Sequence, residues 1–386
     1  MRIAYFHYLF GESTALNHAR QFAEAARELG HEVTVHAMNT TAAARPTDDR
    51  SQPKSRPRLI SRVLHDPREL VRNVAYSRRE LKLARSLGPD VLVVRSQRLL
   101  LAELLARWRA DLPLVLEINA PADEPNQYME IPGLSTGIEG LKVRRAERIV
   151  VVSHTLRDHL VARHRADVEK FIVNPNGADC ERFHPSIDAT AVRSTLGIGD
   201  RFTVGFVGSF HPWHGMDLLK QIIVDPRLAD AAFLLVGNGP GWNDFRSWVA
   251  DKGLDDRVIL VGRVPHEDVP KHVAAMDVTL LLDLAFYMSP LKLLEYMAAG
   301  RAVVAPEHPA LMHILRHQHN GLLFRVGDRE SAAATIARLA NDPELRRAIA
   351  AQGRRTVEGS FTWRHNAQRV IDACEAAIHE RRARHG

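Results

Sequence analysis

Residues 174–185 read NPNGADCERFHP. Pro175, Gly177 and Pro185 make this stretch a turn-rich break, and it reads as a hinge. Before it, short β-branched runs alternate with longer helical patterns: RIAYFHYL (2–9), EVTVHAM (32–38), DVLVVRS (90–96), PLVLEINA (113–120) and RIVVVSH (148–154). LNHARQFAEAAREL (16–29) is a helix, with Gly30 as its C-terminal stop. After the hinge a second series begins: RFTVGFVGSF (201–210), AAFLLVGNG (231–239), RVILVGRV (257–264), DVTLLLDL (277–284) and RAVVAPE (301–307). Strand–helix alternation on this scale predicts parallel sheets covered by helices. The expected architecture is two doubly wound α/β domains of comparable size.

The 386 residues suit two domains better than one core. Apolar residues at 45% and charged residues at 25% are an ordinary globular balance. No uncharged apolar run approaches the ~18 residues of a spanning helix. MRIAYFHYLF (1–10) is too short for a signal peptide and lacks a small-residue cleavage site, so it reads as a first strand. Cys180 and Cys374 form no disulfide framework and have no metal-ligand spacing, which suits a reducing cytoplasm. No metal site is expected, and no nucleic-acid partner. The net charge of +6 is uneven, because residues 45–85 alone hold twelve Lys/Arg against five Asp/Glu. That block is either a solvated helical face or a surface for an anionic partner, such as the inner face of a plasma membrane. A helix over PRELVRNVAYSRRELKLARSL (67–87) would set Leu70, Val74 and Leu81 near one side, flanked by arginines.

Residues 288–300 read MSPLKLLEYMAAG. Ser289 is a natural N-cap, with Pro290 at the first helical position. The free amides of Leu291 and Lys292, the helix dipole and the Lys292 charge then make an anion site. Glu295, one turn on, can accept two hydroxyl hydrogen bonds, as a ribose diol offers. Phosphate plus ribose suggests a nucleotide; a plain amphipathic helix is the alternative. VGFVGSFHPWHG (204–215), where Gly208 allows close backbone approach, adds a loop at the same sheet edge. VGNGP (236–240) and VGRVPHEDVPKHVAAMDV (261–278) add two more. No complete GxGxxG with its acidic partner occurs, which argues against a dinucleotide oxidoreductase.

Several stretches, in order and spacing, resemble a retaining glycosyltransferase of family 4 with the GT-B fold. They are RELGHEVTV (27–35), AERIVVVSHTLRDHL (146–160), NPNGADCERFHP, GFVGSFHPWHGMDLL (205–219), LLVGNGP (234–240), VPHEDVPKHVAAMDV (264–278), SPLKLLEYMAAGRAVVAP (289–306), NGLLF (320–324) and FTWRHNAQRV (361–370). The resemblance implies two Rossmann-like domains facing a central cleft. An acceptor domain would span 1–184 and a nucleotide-sugar domain 185–361. A last helix, 362–386, would cross back to the first domain from about Trp363. Carried over, Glu295 holds the donor ribose and Val264 meets the nucleobase through its backbone. Gly208 opens the diphosphate loop, and Leu291 and Lys292 face the phosphates. The donor is a nucleoside-diphosphate sugar and no cofactor is needed. The acceptor is a glycan, a lipid-linked sugar or a small molecule.

Four features depart from the family pattern. Tyr287 stands eight residues before Glu295, where a second glutamate is frequent. Ser209 and His214 stand where an arginine and a lysine usually hold the diphosphate. The histidine usual after the fifth N-terminal strand is absent, and LEINAP (116–121) offers Glu117 and Asn119 instead. Glu117 either positions the acceptor or is a buried structural residue. Arg95 and Ser96 end a strand at the same edge. Lys292, His214 and helix amides would then stabilise the leaving diphosphate, with same-face attack in the absence of a convincing nucleophile. A nucleotide-sugar binder without transfer, and an enzyme joining a cyclitol to an amine, are the competing readings.

Overall fold

The computed structural model describes residues 1–8, 14–38, 65–124 and 131–385. The first part of the basic block, including PRLISRVL (57–64), lies outside the described residues. Packing divides the described residues into two units, those up to Asn176 together with Trp363 onward in one, and Gly177–Thr362 in the other.

In the first unit β1 (Arg2–His7), α1 (Thr14–Glu28), β2 (Glu32–Ala37), α2 (His65–Leu87), β3 (Val91–Arg95) and α3 (Ala102–Ala110) follow in turn. They are joined by β4 (Leu114–Ile118), α4 (Leu134–Arg145), β5 (Arg148–Val151), α5 (His154–His164) and β6 (Phe171–Val173). The sheet order is β2-β1-β3-β4-β5-β6, and every pairing is parallel. Strands such as β4 are buried along their whole length, as expected for a sheet covered on both faces. Gly30 ends the α1 turn at φ +89°, a backbone state open to glycine at little cost. Ser153 caps α5 by accepting the Leu156 amide at 3.2 Å. Asn73 of α2 ties down the start of α3: its Oδ1 accepts the Leu101 amide at 2.6 Å and its Nδ2 donates to the Leu99 carbonyl at 2.8 Å.

The second unit holds α6 (Thr190–Thr195), β7 (Thr203–Val207), α7 (Met216–Ile223), β8 (Ala232–Val236), α8 (Trp242–Asp251), β9 (Val258–Gly262) and α9 (Val269–Ala274). It continues with β10 (Val278–Leu280), α10 (Leu291–Ala298), β11 (Ala302–Pro306), β12 (Leu322–Phe324), α11 (Arg329–Asn341) and α12 (Pro343–Ser360). Its order is β12-β11-β10-β7-β8-β9, again all parallel. The chain runs outward in opposite directions from β7 and β10. Loops leaving the carboxyl ends of these two strands therefore flank the switch point, where open α/β sheets bind ligands. The last helix, α13 (Trp363–His385), packs on α1, β3, β4 and β5 of the first unit.

The division falls at Asn176/Gly177, eight residues before the 184/185 boundary read from sequence. The Ala178 amide bonds to the Phe361 carbonyl at 2.8 Å, and Phe183 is buried in a second-unit cluster. Those contacts assign the latter half of NPNGADCERFHP to the second unit.

Candidate active site

The α10 start differs from the expected cap. Pro290 occupies the N-cap position at φ −73° and ψ 118°, and no side chain caps the helix. Extended ψ at Pro290 moves the helix start one residue on, to Leu291. Ser289 is buried in the preceding loop rather than capping. The Leu293 amide turns back to the Pro290 carbonyl at 3.2 Å, and the amides of Leu291 and Lys292 lie ahead of it. This uncapped end is the positive pole of the helix.

Lys292 leaves α10 toward the loop after β7. Its ammonium nitrogen is covered, lies 4.5 Å from the Phe206 ring centroid and has no hydrogen-bond partner among the described residues. Burial lowers its pKa to about 8, against the pull of Glu295. Gly208 faces that nitrogen: a Cβ there would collide with Lys292 Nζ. Gly237, in the loop after β8, sits just as tightly on the Gly208 carbonyl at φ +133°. The Gly208 and Phe210 amides bond to the Val236 and Asn238 carbonyls at 2.9 and 3.2 Å, so the two glycine loops are laced together. Tyr296, one residue past Glu295, anchors the same edge by accepting the Val207 amide at 2.7 Å.

Glu295 lies beneath the uncapped turn, and burial raises its pKa to about 7 while Arg182 and Lys292 pull it down. Near neutral pH it is therefore part carboxylate, part acid.

His214 sits in the loop after β7, against Ser209. Its Nδ1 donates to the Ser209 carbonyl at 2.6 Å, leaving Nε2 as an acceptor. Burial and the Lys292 charge lower its pKa to about 4. The ring is neutral at pH 7 and braces the loop through its bond to the Ser209 carbonyl. Tyr287 is buried in the loop before α10, its ring edge-on to Phe286 at 5.4 Å. Val264, beyond β9, packs on the cluster around Leu234 and Ile259, two strands out from β7. The structure thus brings Gly208, Ser209, His214 and Lys292 together, with Glu295 beside Lys292 and Leu291 at the helix start. Val264 packs in a separate apolar cluster, while Tyr287 and Ser289 are buried in the loop that leads into α10. Phe206, Arg182 and Tyr296 were missed from sequence. Phe206 and Tyr296 read as ordinary core residues, and Arg182 was hidden in the hinge.

In the first unit, Glu117 at the end of β4 is buried and fully engaged. It accepts from Tyr5 Oη at 2.6 Å, Arg95 at 2.9 Å and Asn119 Nδ2 at 2.7 Å. Burial alone would raise its pKa, but His18, Arg95 and these hydrogen bonds outweigh it and the net shift is downward. His18 Nδ1 stands 3.6 Å away and its ring packs edge-on to Trp363 at 5.2 Å. Burial lowers the His18 pKa against the pull of Glu117. Glu117 is thus the hydrogen-bonded centre of a buried cluster at the end of β4. Arg95, Ser96, Asn119 and Lys142 line a pocket of about 260 Å³ at the carboxyl ends of β3 and β4.

Among the described residues no group of three or more His, Cys, Asp or Glu side chains is placed to hold a metal ion. Cys180 and Cys374 are free.

Two parallel six-stranded sheets with their ligand-side loops define a two-domain Rossmann-like protein of the GT-B class. Residues 15–182 match the family model for glycosyltransferase family 4, and 201–342 match that for glycosyl transferases group 1. The chain belongs to the family-4 glycosyltransferases. A D-inositol 3-phosphate glycosyltransferase of Stackebrandtia nassauensis is 31% identical over 68% of this chain and 60% of its own length. A GDP-mannose-dependent alpha-(1-6)-phosphatidylinositol monomannoside mannosyltransferase of Mycolicibacterium smegmatis is 26% identical over 54% and 57%. The chain thus spans less than two thirds of the length of either relative. Among solved structures, Anabaena Alr3699/HepE in complex with UDP superposes with a TM-score of 0.75 at 19% identity, over 96% of this chain and 99% of that one. The sucrose-phosphate synthase of Thermosynechococcus elongatus gives 0.71 at 20% identity, over 96% and 97%.

Proposed function

We propose that the chain is a retaining glycosyltransferase that takes a sugar from a nucleoside-diphosphate donor and passes it to an acceptor hydroxyl. One observation carries this reading: the partnerless Lys292 ammonium lies against the Gly208 loop beside the uncapped start of α10. A buried cation without a partner is costly, and a diphosphate would relieve it. As the glycosidic bond breaks, negative charge grows on the leaving phosphate, where Lys292 and the helix amides would meet it. Glu295 would hold the ribose hydroxyls. His214, neutral, would accept a hydroxyl through Nε2. The leaving phosphate would help deprotonate the acceptor on the same face of the sugar. Since Lys292 supplies the charge, activity is expected to persist in EDTA.

The UDP complex of the Anabaena protein and the named activities of the two relatives support a sugar nucleotide as donor. They also support a glycan, lipid-linked or small-molecule acceptor, for which we assign the first unit. We further propose a cytoplasmic protein that docks on an anionic membrane. The outer face of α2 supports this, with Val71 and Val74 exposed among Arg68, Arg72, Arg78, Lys82 and Arg85. Trp108 and Leu105 on the neighbouring α3 extend the apolar part.

A thermal-shift screen with nucleoside diphosphates and their sugars tests the donor. A ligand at about 100 times its dissociation constant adds about 2.7 kcal/mol of stability. If no sugar nucleotide shifts the melting temperature, the reading fails. Binding without transfer is the second reading, favoured by Tyr287 in place of a carboxylate and by the uncharged His214. A labelled donor that binds but yields neither glycoside nor free sugar with any acceptor would establish it.

A further inference from the structure

We propose that Arg182 is a positioning residue of the donor site: from a strap clamped to α10 it sets the loop after β9 and the Glu295 carboxylate in register for one nucleoside. The inference rests on the reading of Glu295 as the holder of the donor ribose. It adds a residue that lies outside both α10 and the glycine loops.

The strap is residues 178–185, all within the second unit. Phe183 is buried in one cluster with Leu294 and Met297 of α10. Arg354 of α12 ties strap and helix together. Its guanidinium donates to the Phe183 carbonyl at 2.5 Å, to the Cys180 carbonyl at 3.1 Å and to the Ala298 carbonyl at the end of α10. Pro185 sits so close to Gly300, just past α10, that a Cβ on the glycine would stand 2.9 Å from the proline ring. Between these anchors Asp179 Oδ1 accepts the Glu181 and Arg182 amides at 3.1 and 2.9 Å, closing the turn that presents Arg182. A side chain on a backbone fixed at this many points is placed by the fold before any ligand arrives.

From the strap, Arg182 reaches away from α12. Its Nη2 donates to the His266 carbonyl, in the loop between β9 and α9 that also carries Val264. The guanidinium carbon lies 5.8 Å from the Phe183 ring centroid, a contact that steadies the side chain. The same charge acts on Glu295, where Arg182 is the first cation to offset burial, Lys292 is the second and Asp179 opposes both. Arg354, the cation that α12 turns toward the strap, is paired with Glu358 at 2.7 Å. One side chain thus bridges the loop after β9 and the carboxylate on α10. A ribose held by Glu295 carries its base to within reach of that loop, and the loop can read the base only if the two are held in fixed relation.

Calorimetry on the full chain tests this. The probes are UDP, GDP, ADP and dTDP, with inorganic pyrophosphate as a ligand that has neither ribose nor base. R182Q should weaken the nucleotide that wild type binds by roughly tenfold or more at pH 7, the worth of a charge-assisted hydrogen bond. Pyrophosphate meets only Lys292 and the helix amides, so its affinity should not change. The pH profile separates positioning from a general loss of stability. Arg182 holds the Glu295 pKa down, so its removal raises that pKa, and the acid limb of nucleotide affinity should move to higher pH. D179N removes the opposing charge and keeps an oxygen for the turn, so it should move the limb to lower pH. R182K keeps the charge and should leave the limb where wild type has it. Burial and Arg182 lower the His266 pKa, so that ring does not titrate above about pH 6.5 and cannot supply the limb. Equal weakening of nucleotide and pyrophosphate by R182Q overturns this inference alone, as does an acid limb that stays in place in R182Q and D179N. Should R182Q fail to fold, D179N and R182K carry the same test of sign. If wild type binds none of the four nucleotides, the donor reading itself falls.

Discussion

Lys292 and Glu295 stand three residues apart, and burial moves their pKa values toward each other, to about 8 and about 7. On the proposed reading a donor needs Lys292 protonated and Glu295 ionised. Affinity for a nucleotide sugar should therefore peak between about pH 7 and 8. It should fall below that window as Glu295 protonates and above it as Lys292 loses its proton, with a bell-shaped profile. Calorimetry from pH 6 to 9.5 checks this, and a flat profile would remove both residues from the donor site. Stability carries the opposite mark. The Lys292 pKa is depressed, so the unfolded chain binds more protons between about pH 8 and 10.5, and stability rises with pH there. Below pH 8 the folded protein bears the whole penalty, at most about 3 kcal/mol. Lys292→Met should then raise the melting temperature at pH 7 by roughly 5 °C, while turnover drops roughly a hundredfold or more. A variant less stable than wild type would contradict this account of Lys292. The residue types of this site were legible in SPLKLLEY. The neutral state of His214 was not, because it follows from burial and from Lys292, which lies 78 positions away in sequence.

Elements were legible in proportion to their length. β3, β4 and β8 carry continuous apolar runs and fall where the sequence places them. β6 and β12 have three residues each and went unread, since FIV and LLF are too short to show a period. β10 is shorter than DVTLLLDL suggested: Leu281, Leu282 and Leu284 are buried, but the strand ends at Leu280. Apolar periodicity reports burial, and pairing is a separate matter. The crossing of the two glycine loops was equally hidden, because it joins VGS to VGN through backbone contact alone. Gly208→Ala tests that crossing against α10. Its Cβ would displace the Lys292 ammonium, whose flexible stem can move, so the fold should survive. Nucleotide-sugar affinity should fall as far as it does in Lys292→Ala, and the double variant should add nothing further. Gly237→Ala meets backbone instead of a flexible side chain at φ +133° and should cost roughly 1–3 kcal/mol or more in stability. Full additivity of Gly208→Ala with Lys292→Ala in a double-mutant cycle would show that the loop acts without the lysine.

At the scale of the molecule, the two-unit plan followed from the hinge and from the restart of strand–helix alternation after it. The surroundings of Glu117 did not follow: its burial among Tyr5, Arg95 and Asn119 joins residues far apart in the sequence. The basic block can now be judged in part, on α2. Asn73, Glu80 and Ala84 form its buried side, with Leu70 and Leu81 half-buried, so the expected Leu70–Val74–Leu81 stripe does not face solvent together. Val71 and Trp108 do, each 72% exposed. An exposed indole on α3, and exposed valines among arginines on α2, are side chains that suit the interface of an anionic bilayer, where aromatic rings anchor and each basic residue adds about 1 kcal/mol. No described helix is long and apolar enough to cross a membrane, so docking of this kind would be peripheral. The full chain should sediment with vesicles containing anionic lipid at low salt and less at physiological salt, and should stay with the supernatant when vesicles are neutral. Replacing Trp108 and Val71 with aspartate removes apolar area and adds repulsion, and should lower partitioning roughly tenfold or more while leaving nucleotide-sugar binding unchanged. If that double variant sediments like wild type, the contact runs through some other part of the chain. If wild type ignores anionic vesicles even at low salt, the arginines of α2 only face water and the acceptor comes to the protein from solution.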